Sequence, residues 1–241
     1  MKVTLTRVTD SPVLAIEEAA SKCYDSTPSE DGKIFAHCVN SGHTSVTEFC
    51  TFTFHIEGVS RALLAQLTRH RHAGYAVQSQ RYVKKDVPTY ITPPSIAKIP
   101  AAKEEYDRVM TEIWGHYNKF LSLGIEAEDA RYILPNACDT VIEMTINLRS
   151  LMNFMNERLC TCAQWEIRQL AKLMRDAVIA VAPKFAPYLV PKCEKYGKDK
   201  GFCNEPRRRS CGRHPLLSDI MEDYHALQAL VNAQESGVVD E

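Results

Sequence analysis

No stretch of this sequence approaches the ~18 consecutive apolar residues that a bilayer-spanning helix requires. The longest apolar run is Ala177-Val178-Ile179-Ala180-Val181-Ala182. Net charge is equally lacking. The 29 Lys+Arg stand against 30 Asp+Glu, a formal balance of −1, which excludes a globally basic protein that coats nucleic acid. Any anion site must therefore be a local cluster. The opening MKVTLTRVTD has no signal-peptide core and alternates like a strand. Repeats and low-complexity segments are missing, and so is paired Cys-x-x-Cys spacing. The 9 cysteines are odd in number and mostly embedded in apolar stretches, which points to thiols in a reducing, cytoplasmic compartment rather than to a disulfide framework. What is present is 241 residues, 45% apolar and 24% charged. That is a soluble composition able to bury a sizeable core in one large domain or at most two small ones.

Periodicity supplies the elements. Met1–Val8 predicts a strand, and short helices are expected over Pro12–Tyr24 and Glu30–Ser41, the second ending at Gly42. Phe49–Gly58 is the clearest strand, with Phe49, Thr51, Thr53 and His55 on one face and Cys50, Phe52, Phe54 and Ile56 on the other. Ser60 is expected to cap a helix running through SRALLAQLTRHR. Gln78–Val83 reads as extended, and the prolines between Asp86 and Pro100 demand a loop. Helices over Ala101–Leu123, Glu126–Leu134, Ser150–Arg158 and Ala163–Val181, with a strand over Asp139–Asn147, complete the apolar pattern. Lys192–Pro215 is irregular and basic. Ser218–Ala233 places Ile220, Met221, Tyr224, Leu227, Leu230 and Val231 at helical spacing. Separated strands and helices of this kind predict an α+β domain.

The densest polar feature is Arg69-His70-Arg71-His72, followed by Gln78-Ser79-Gln80-Arg81-Tyr82. Basic residues at a helix C-terminus can simply complement its dipole. An extended segment, however, would point Ser79 and Arg81 the same way. A hydroxyl beside converging guanidinium forks is a good phosphate cradle. Gln66, one helical turn before Arg69, adds a neutral donor and acceptor. Downstream, Asn153 and Asn156 fall among apolar helical neighbours, where a buried amide needs a hydrogen-bond partner, whether backbone, water or ligand.

Arg69-His70-Arg71, seven residues, then Ser79, with Arg81 two beyond and Gln66 before, resembles the hallmark motif of flavin-dependent thymidylate synthases. Gly42-His43-Thr44-Ser45 with Glu48, Ala130–Pro135 with Arg131, Asn147–Phe154, Asn156, Arg158 and Ala163–Ile167 are similar to further segments of that family. The likeness runs from about Met1 to Pro191, and residues 192–241 would extend the same domain. The chain departs from the motif at Gly74 and Ala76, where the family often has Ser and Asn, and at Val77, where an acidic residue often follows; a backbone contact could survive there. Cys162 stands where some members have His.

The resemblance implies an α+β fold with a mixed or antiparallel sheet flanked by helices. It implies conversion of dUMP to dTMP with methylenetetrahydrofolate as one-carbon donor and NADPH reducing bound FAD. It assigns Ser45, Glu48, Arg69, His70, Arg71, Val77, Asn147, Arg149 and Asn153 to the flavin. It assigns His43, Gln66, Arg69, Gln78, Ser79, Gln80, Arg81 and Arg131 to the nucleotide or folate. Arg158 would be catalytic, stabilising negative charge on the pyrimidine. It implies a homotetramer with sites shared between chains. The changes at residues 74–77 leave open a second reading, a nucleotide- or flavin-binding regulatory protein of impaired turnover.

Cys193, Cys203, Cys211 and His214 form a separate set that could ligate zinc tetrahedrally or be free surface thiols. If zinc organised this loop, an interaction protein would be a third reading. Arg207-Arg208-Arg209 reads as a solvated loop face. Cys160 and Cys162 have no accompanying His/Asp pattern that would make either a nucleophile.

Overall fold

The structure, a computed structural model, describes residues 1–195 and 197–235. Four strands form one antiparallel sheet in the order β1-β2-β4-β3: β1 (Lys2–Val8), β2 (Thr51–Ser60), β3 (Ala73–Val77) and β4 (Asp139–Asn147). The two-residue alternation expected of β2 is present. Phe52, Phe54 and Ile56 are fully buried, while Thr53 and His55 on the other face meet Thr145 and Glu143 of β4, with Oγ1–Oγ1 2.9 Å and Nδ1–Oε1 2.5 Å. The strand starts at Thr51 rather than Phe49, because Thr44–Phe49 is a 3-10 turn. Between Ile56 and Val59 the register shifts. Gly58 sits there at φ +65°, with Met1 N 3.2 Å from where a Cβ would stand, so both backbone and space require glycine.

Helices cover the apolar face. Among them are α1 (Pro12–Tyr24) and α2 (Lys33–Asn40), then α3 (Arg61–Leu67), the single turn α4 (Pro94–Ala97) and α5 (Pro100–Ser122). The turn α6 (Ala127–Ala130), α7 (Leu148–Arg158), α8 (Trp165–Val181) and α9 (Leu217–Glu235) follow. Pro12 and Pro100 begin their helices, where a missing N–H costs nothing. Ser60 Oγ accepts from Leu63 N at 3.0 Å, so the expected cap of α3 is present. Asn147 Oδ1 caps α7 through Ser150 N at 2.9 Å. Ile167, Leu170, Met174 and Val178 of α8 and Leu151, Phe154 and Met155 of α7 join the sheet in one core with Phe35 and Phe185. A smaller cluster gathers Met110 and Trp114 of α5 with Cys138.

Three expectations are corrected. The helix from Ser60 stops at Leu67 rather than carrying on through Arg71. Arg69 N and His70 N bond back to Gln66 O and Leu67 O at 3.3 and 3.1 Å, and the Tyr75 hydroxyl, donating to the Leu67 and His70 carbonyls at 3.0 and 2.8 Å, folds the chain into β3. The extended segment precedes Gln78 instead of following it, because Ala73–Val77 pairs with Ile142–Ile146. Ser79–Val83 is a turn closed by Val83 N to Ser79 O at 3.0 Å. The helix expected over Glu126–Leu134 is α6 followed by a 3-10 turn, Arg131–Ile133. In α9, Ile220, Met221, Tyr224 and Leu227 are exposed; the side chains of Leu230 and Val231 lie outside the described residues.

Candidate active site

The turn between α3 and β3 carries Arg69, His70 and Arg71, and α7 ends beside it. His70 packs edge-on against Phe154, centroids 4.8 Å apart, and its Nε2 accepts a hydrogen bond from Arg158 Nε at 2.9 Å. Acceptance at Nε2 places the ring proton on Nδ1. Burial, and after it the adjacent Arg158 cation, push the imidazole pKa down to about 4. The ring is therefore neutral near pH 7, an acceptor that steadies a guanidinium without repelling it. Burial also lifts the Tyr75 phenol to about 12, so the hydroxyl holding this turn keeps its proton.

A second group lies on the turn after β3. Ser79 Oγ accepts from Arg81 N at 3.1 Å, leaving its own hydroxyl proton to donate. Arg81 Nε donates to Glu128 Oε2 at 2.8 Å, and Arg131 Nε donates to the Glu128 carbonyl at 3.0 Å. Glu128 thus draws together the two arginines expected to hold phosphate or sugar. The common direction of Ser79 and Arg81 comes from this turn, not from strand alternation. Behind them Arg61 Nη2 donates to Gln78 O at 2.7 Å, while Arg61 Nε and Gln78 Oε1 are buried without partners. Gln80 Nε2 reaches Cys138 Sγ at 3.4 Å.

A third group is the ion pair of Glu48 Oε1 and Arg149 Nη1 at 2.5 Å, both half-exposed. Ser45 and His43 lie exposed on the 3-10 turn carrying Glu48 and at its entry. Asn147, at the start of α7, spends its amide oxygen on the cap. The reading of Asn153 as a buried amide is corrected: it faces solvent, because the apolar stripe of α7 runs through Leu151, Phe154 and Met155. Asn156 takes the backbone option, donating to Val190 O at 2.8 Å. Val77 ends β3 opposite Ile142, and Gln66 is half-buried on α3. Among the described residues no hydrogen bond or ion pair joins the Arg158 group to the Arg131 group.

Four residues of this region escaped sequence reasoning: Arg61, Tyr75, Glu128 and Phe154. Only Glu128 left a signal, an acidic side chain close before Arg131. The other three look like ordinary helix and strand positions.

The chain's residues 4–184 match the family model described as Thymidylate synthase complementing protein. A flavin-dependent thymidylate synthase of Nitratidesulfovibrio vulgaris is 41% identical over 79% of this chain and 80% of that protein. The chain belongs to the flavin-dependent thymidylate synthase family. The family's Clostridium tetani member is 38% identical over 91% of this chain and 96% of its own length, well beyond the family model's limits. A crystal structure of the Helicobacter pylori flavin-dependent thymidylate synthase, complexed with FAD and dUMP, has the same fold. It superposes with a TM-score of 0.61 at 24% identity, covering 80% of this chain and 99% of that one. The Arg69–Ser79 motif and Arg131, Arg158 and Arg149 all lie inside the matched family region. No helix among the described residues is long and apolar enough to cross a membrane.

Proposed function

We propose that this chain is a flavin-dependent thymidylate synthase, making dTMP from dUMP with methylenetetrahydrofolate as one-carbon donor and NADPH as reductant. The observation that carries the reading is the convergence of the motif turn on Arg158, through the neutral His70, in a member of that family.

The residues present fit a flavin. Arg69 and Arg71 are cations with no side-chain partner among the described residues, suited to a diphosphate. Ser45, Glu48, Arg69, His70, Arg71, Asn147, Arg149 and Asn153 would hold it, with Val77 contributing only backbone. When bound, FAD supplies the redox chemistry, accepting reducing equivalents from NADPH and passing them on.

The chain itself binds and orients. Ser79, Arg81 and Arg131 hold the nucleotide phosphate and sugar, with Gln66, Gln78 and Gln80 as neutral partners and His43 toward the folate. Arg81 reaches the phosphate by exchanging Glu128 for it. An exposed ion pair of this kind is worth about 0.2–1 kcal/mol, so the exchange is easy. Arg158 spends one of its N–H donors on His70 and keeps the rest for the pyrimidine. There they stabilise negative charge on the ring carbonyls and N3. With two groups bearing arginines that no bond unites in one chain, we place the complete site between chains of a homotetramer. The enzyme works in the cytoplasm, where its cysteines, all free, stay reduced.

The test is purification with flavin absorbance, then assay of dTMP from dUMP with FAD, NADPH and methylenetetrahydrofolate. Flavin retention with multiple turnovers is expected. Flavin and dUMP binding with no turnover would establish the regulatory reading instead.

A further inference from the structure

The cysteine-bearing loop after residue 191 takes no part in the site above, yet it is built rather than loose. Phe202 N bonds Cys193 O at 3.2 Å, Cys203 N bonds Pro215 O at 2.7 Å, and Leu217 N bonds Cys203 O at 2.9 Å. Together they close the loop on itself, and Cys162 Sγ, just past α7, donates to Arg209 O at 3.3 Å. Between loop and helix lies a cavity of about 20 Å³ lined by Cys160, Cys193, Cys203, Cys211 and His214, room for about one water-sized or ion-sized occupant. Thus the three loop cysteines and the histidine singled out from the sequence line one space. A fourth thiol joins them from Cys160, only two residues beyond Arg158.

Five candidate donors line a space where a tetrahedral ion takes four. His214 is engaged elsewhere. Its Nε2 lies 3.4 Å from Glu194 Oε1, and the other side of its ring packs on Gly201 so closely that a Cβ there would stand 2.5 Å from Nδ1 and Cε1. Only glycine tolerates that approach. The loop spends a glycine on seating an imidazole at the cavity's edge, the arrangement of an outer support rather than of a ligand. Cys193 Sγ, a Glu194 carboxylate oxygen and a His214 nitrogen lie within 4.8 Å of one another, and so do the donor atoms of Cys160, Cys162 and Glu205, so an ion binding between these two groups must draw the four thiols inward. Four thiolates around a dication leave a net negative charge, and Arg209 and Arg213 line the same cavity. A space this small, lined mainly by soft donors and basic side chains with Glu205 and Asn204 among them, suits a soft-ligand metal and no organic group.

We propose that this cavity is a structural zinc site whose ligands are the thiolates of Cys160, Cys193, Cys203 and Cys211. Binding displaces the thiol protons to solvent. The ion ties the loop to the end of α7 and so anchors the helix terminus that bears Arg158. This goes beyond the proposed activity and does not depend on it.

The experiment uses the full chain, purified under reducing conditions without chelator, with metal measured by elemental analysis. One zinc per chain is expected. Replacing it by cobalt(II) should produce the visible ligand-field bands of tetrahedral thiolate coordination. Cys160→Ser and Cys203→Ser should each lower bound zinc at least tenfold, while His214→Ala and the exposed Cys162→Ser keep it. Circular dichroism on every variant confirms that the core is folded. A folded wild-type chain that holds no metal and takes up neither zinc nor cobalt overturns the site. Zinc lost from His214→Ala but kept by Cys160→Ser overturns the ligand set. If Cys203→Ser proves unfolded, the cobalt spectrum of the wild-type chain decides: tetrahedral thiolate bands support the site, and their absence refutes it.

Discussion

If His70 acts on the reaction by holding Arg158, removing both should cost little more than removing Arg158 alone. The single bond between them is Arg158 Nε to His70 Nε2 at 2.9 Å, a hydrogen bond from a charged group, worth about 1.5–3 kcal/mol. Losing Arg158 as a donor to developing charge should cost about 2.7–4 kcal/mol in barrier, on the order of a hundred- to a thousandfold in rate. His70→Ala alone should cost roughly ten- to a hundredfold, by freeing the guanidinium to leave its orientation. The assay is single-turnover dTMP formation at saturating FAD and dUMP, so that altered affinity for either does not enter. In the double-mutant cycle the coupling should be about 1.5–3 kcal/mol, with the double variant close to Arg158→Ala. Because burial holds the imidazole near a pKa of about 4, the coupling should be flat from pH 6.5 to 8. Additivity within about 0.5 kcal/mol would show that the two residues act independently, and the positioning argument would fail.

Arg131→Ala and Arg158→Ala should each be nearly inactive, yet regain activity when unfolded and refolded together, since a mixed assembly of shared sites contains some with neither lesion; demonstrated subunit exchange without recovery would place both arginines in one chain's site. The depressed pKa of His70 also fixes a sign for stability. The unfolded ring takes up a proton near pH 6.5 while the folded ring resists until about 4, so this stability is complete above pH 6.5 and lost as pH falls toward 4. Between pH 7 and pH 5 the loss in urea unfolding should exceed that of His70→Gln by about 1 kcal/mol, after halving the ~2 kcal/mol that the shift implies to allow for solvent screening; equal losses would mean that the ring titrates normally. Glu166 is buried and accepts from both Ser60 N and Ser60 Oγ, at 2.7 and 2.6 Å. Glu166→Ala should therefore destabilise the fold by about 2–4 kcal/mol, and thermal unfolding within about 1 kcal/mol of wild type would contradict that account.

Much of this molecule is written locally. The bulky alternation in β2 and β4, the hydroxyl at Ser60 and the prolines at the starts of α1 and α5 each act within a few residues, through backbone geometry and orphan N–H groups. They could be placed before any long-range contact was known. So could part of the motif's chemistry, because Ser79 and Arg81 are two residues apart and share one turn wherever that turn goes. β3 was not legible. Its exposed positions are Gly74 and Ala76, too small to mark an alternation, and the strand exists because β4 offers Ile142–Ile146 as a partner. The end of α3 at Leu67 was hidden for the same reason. Tyr75, on the next strand, reaches back for the carbonyls that a longer helix would have used.

The sequence by itself determined the α+β character, the buried faces, the cap of α3 and the set of arginines available to a phosphate. Only the tertiary structure decided that His70 meets Arg158 across 88 residues of chain, that Glu128 gathers Arg81 and Arg131, that Asn153 faces water, and that Cys160 lines one cavity with the loop cysteines. The division has a physical cause. Hydrophobic period and capping are properties of neighbouring residues, whereas a site depends on closing long loops, and the free energy for that closure comes from the whole core rather than from the residues that meet.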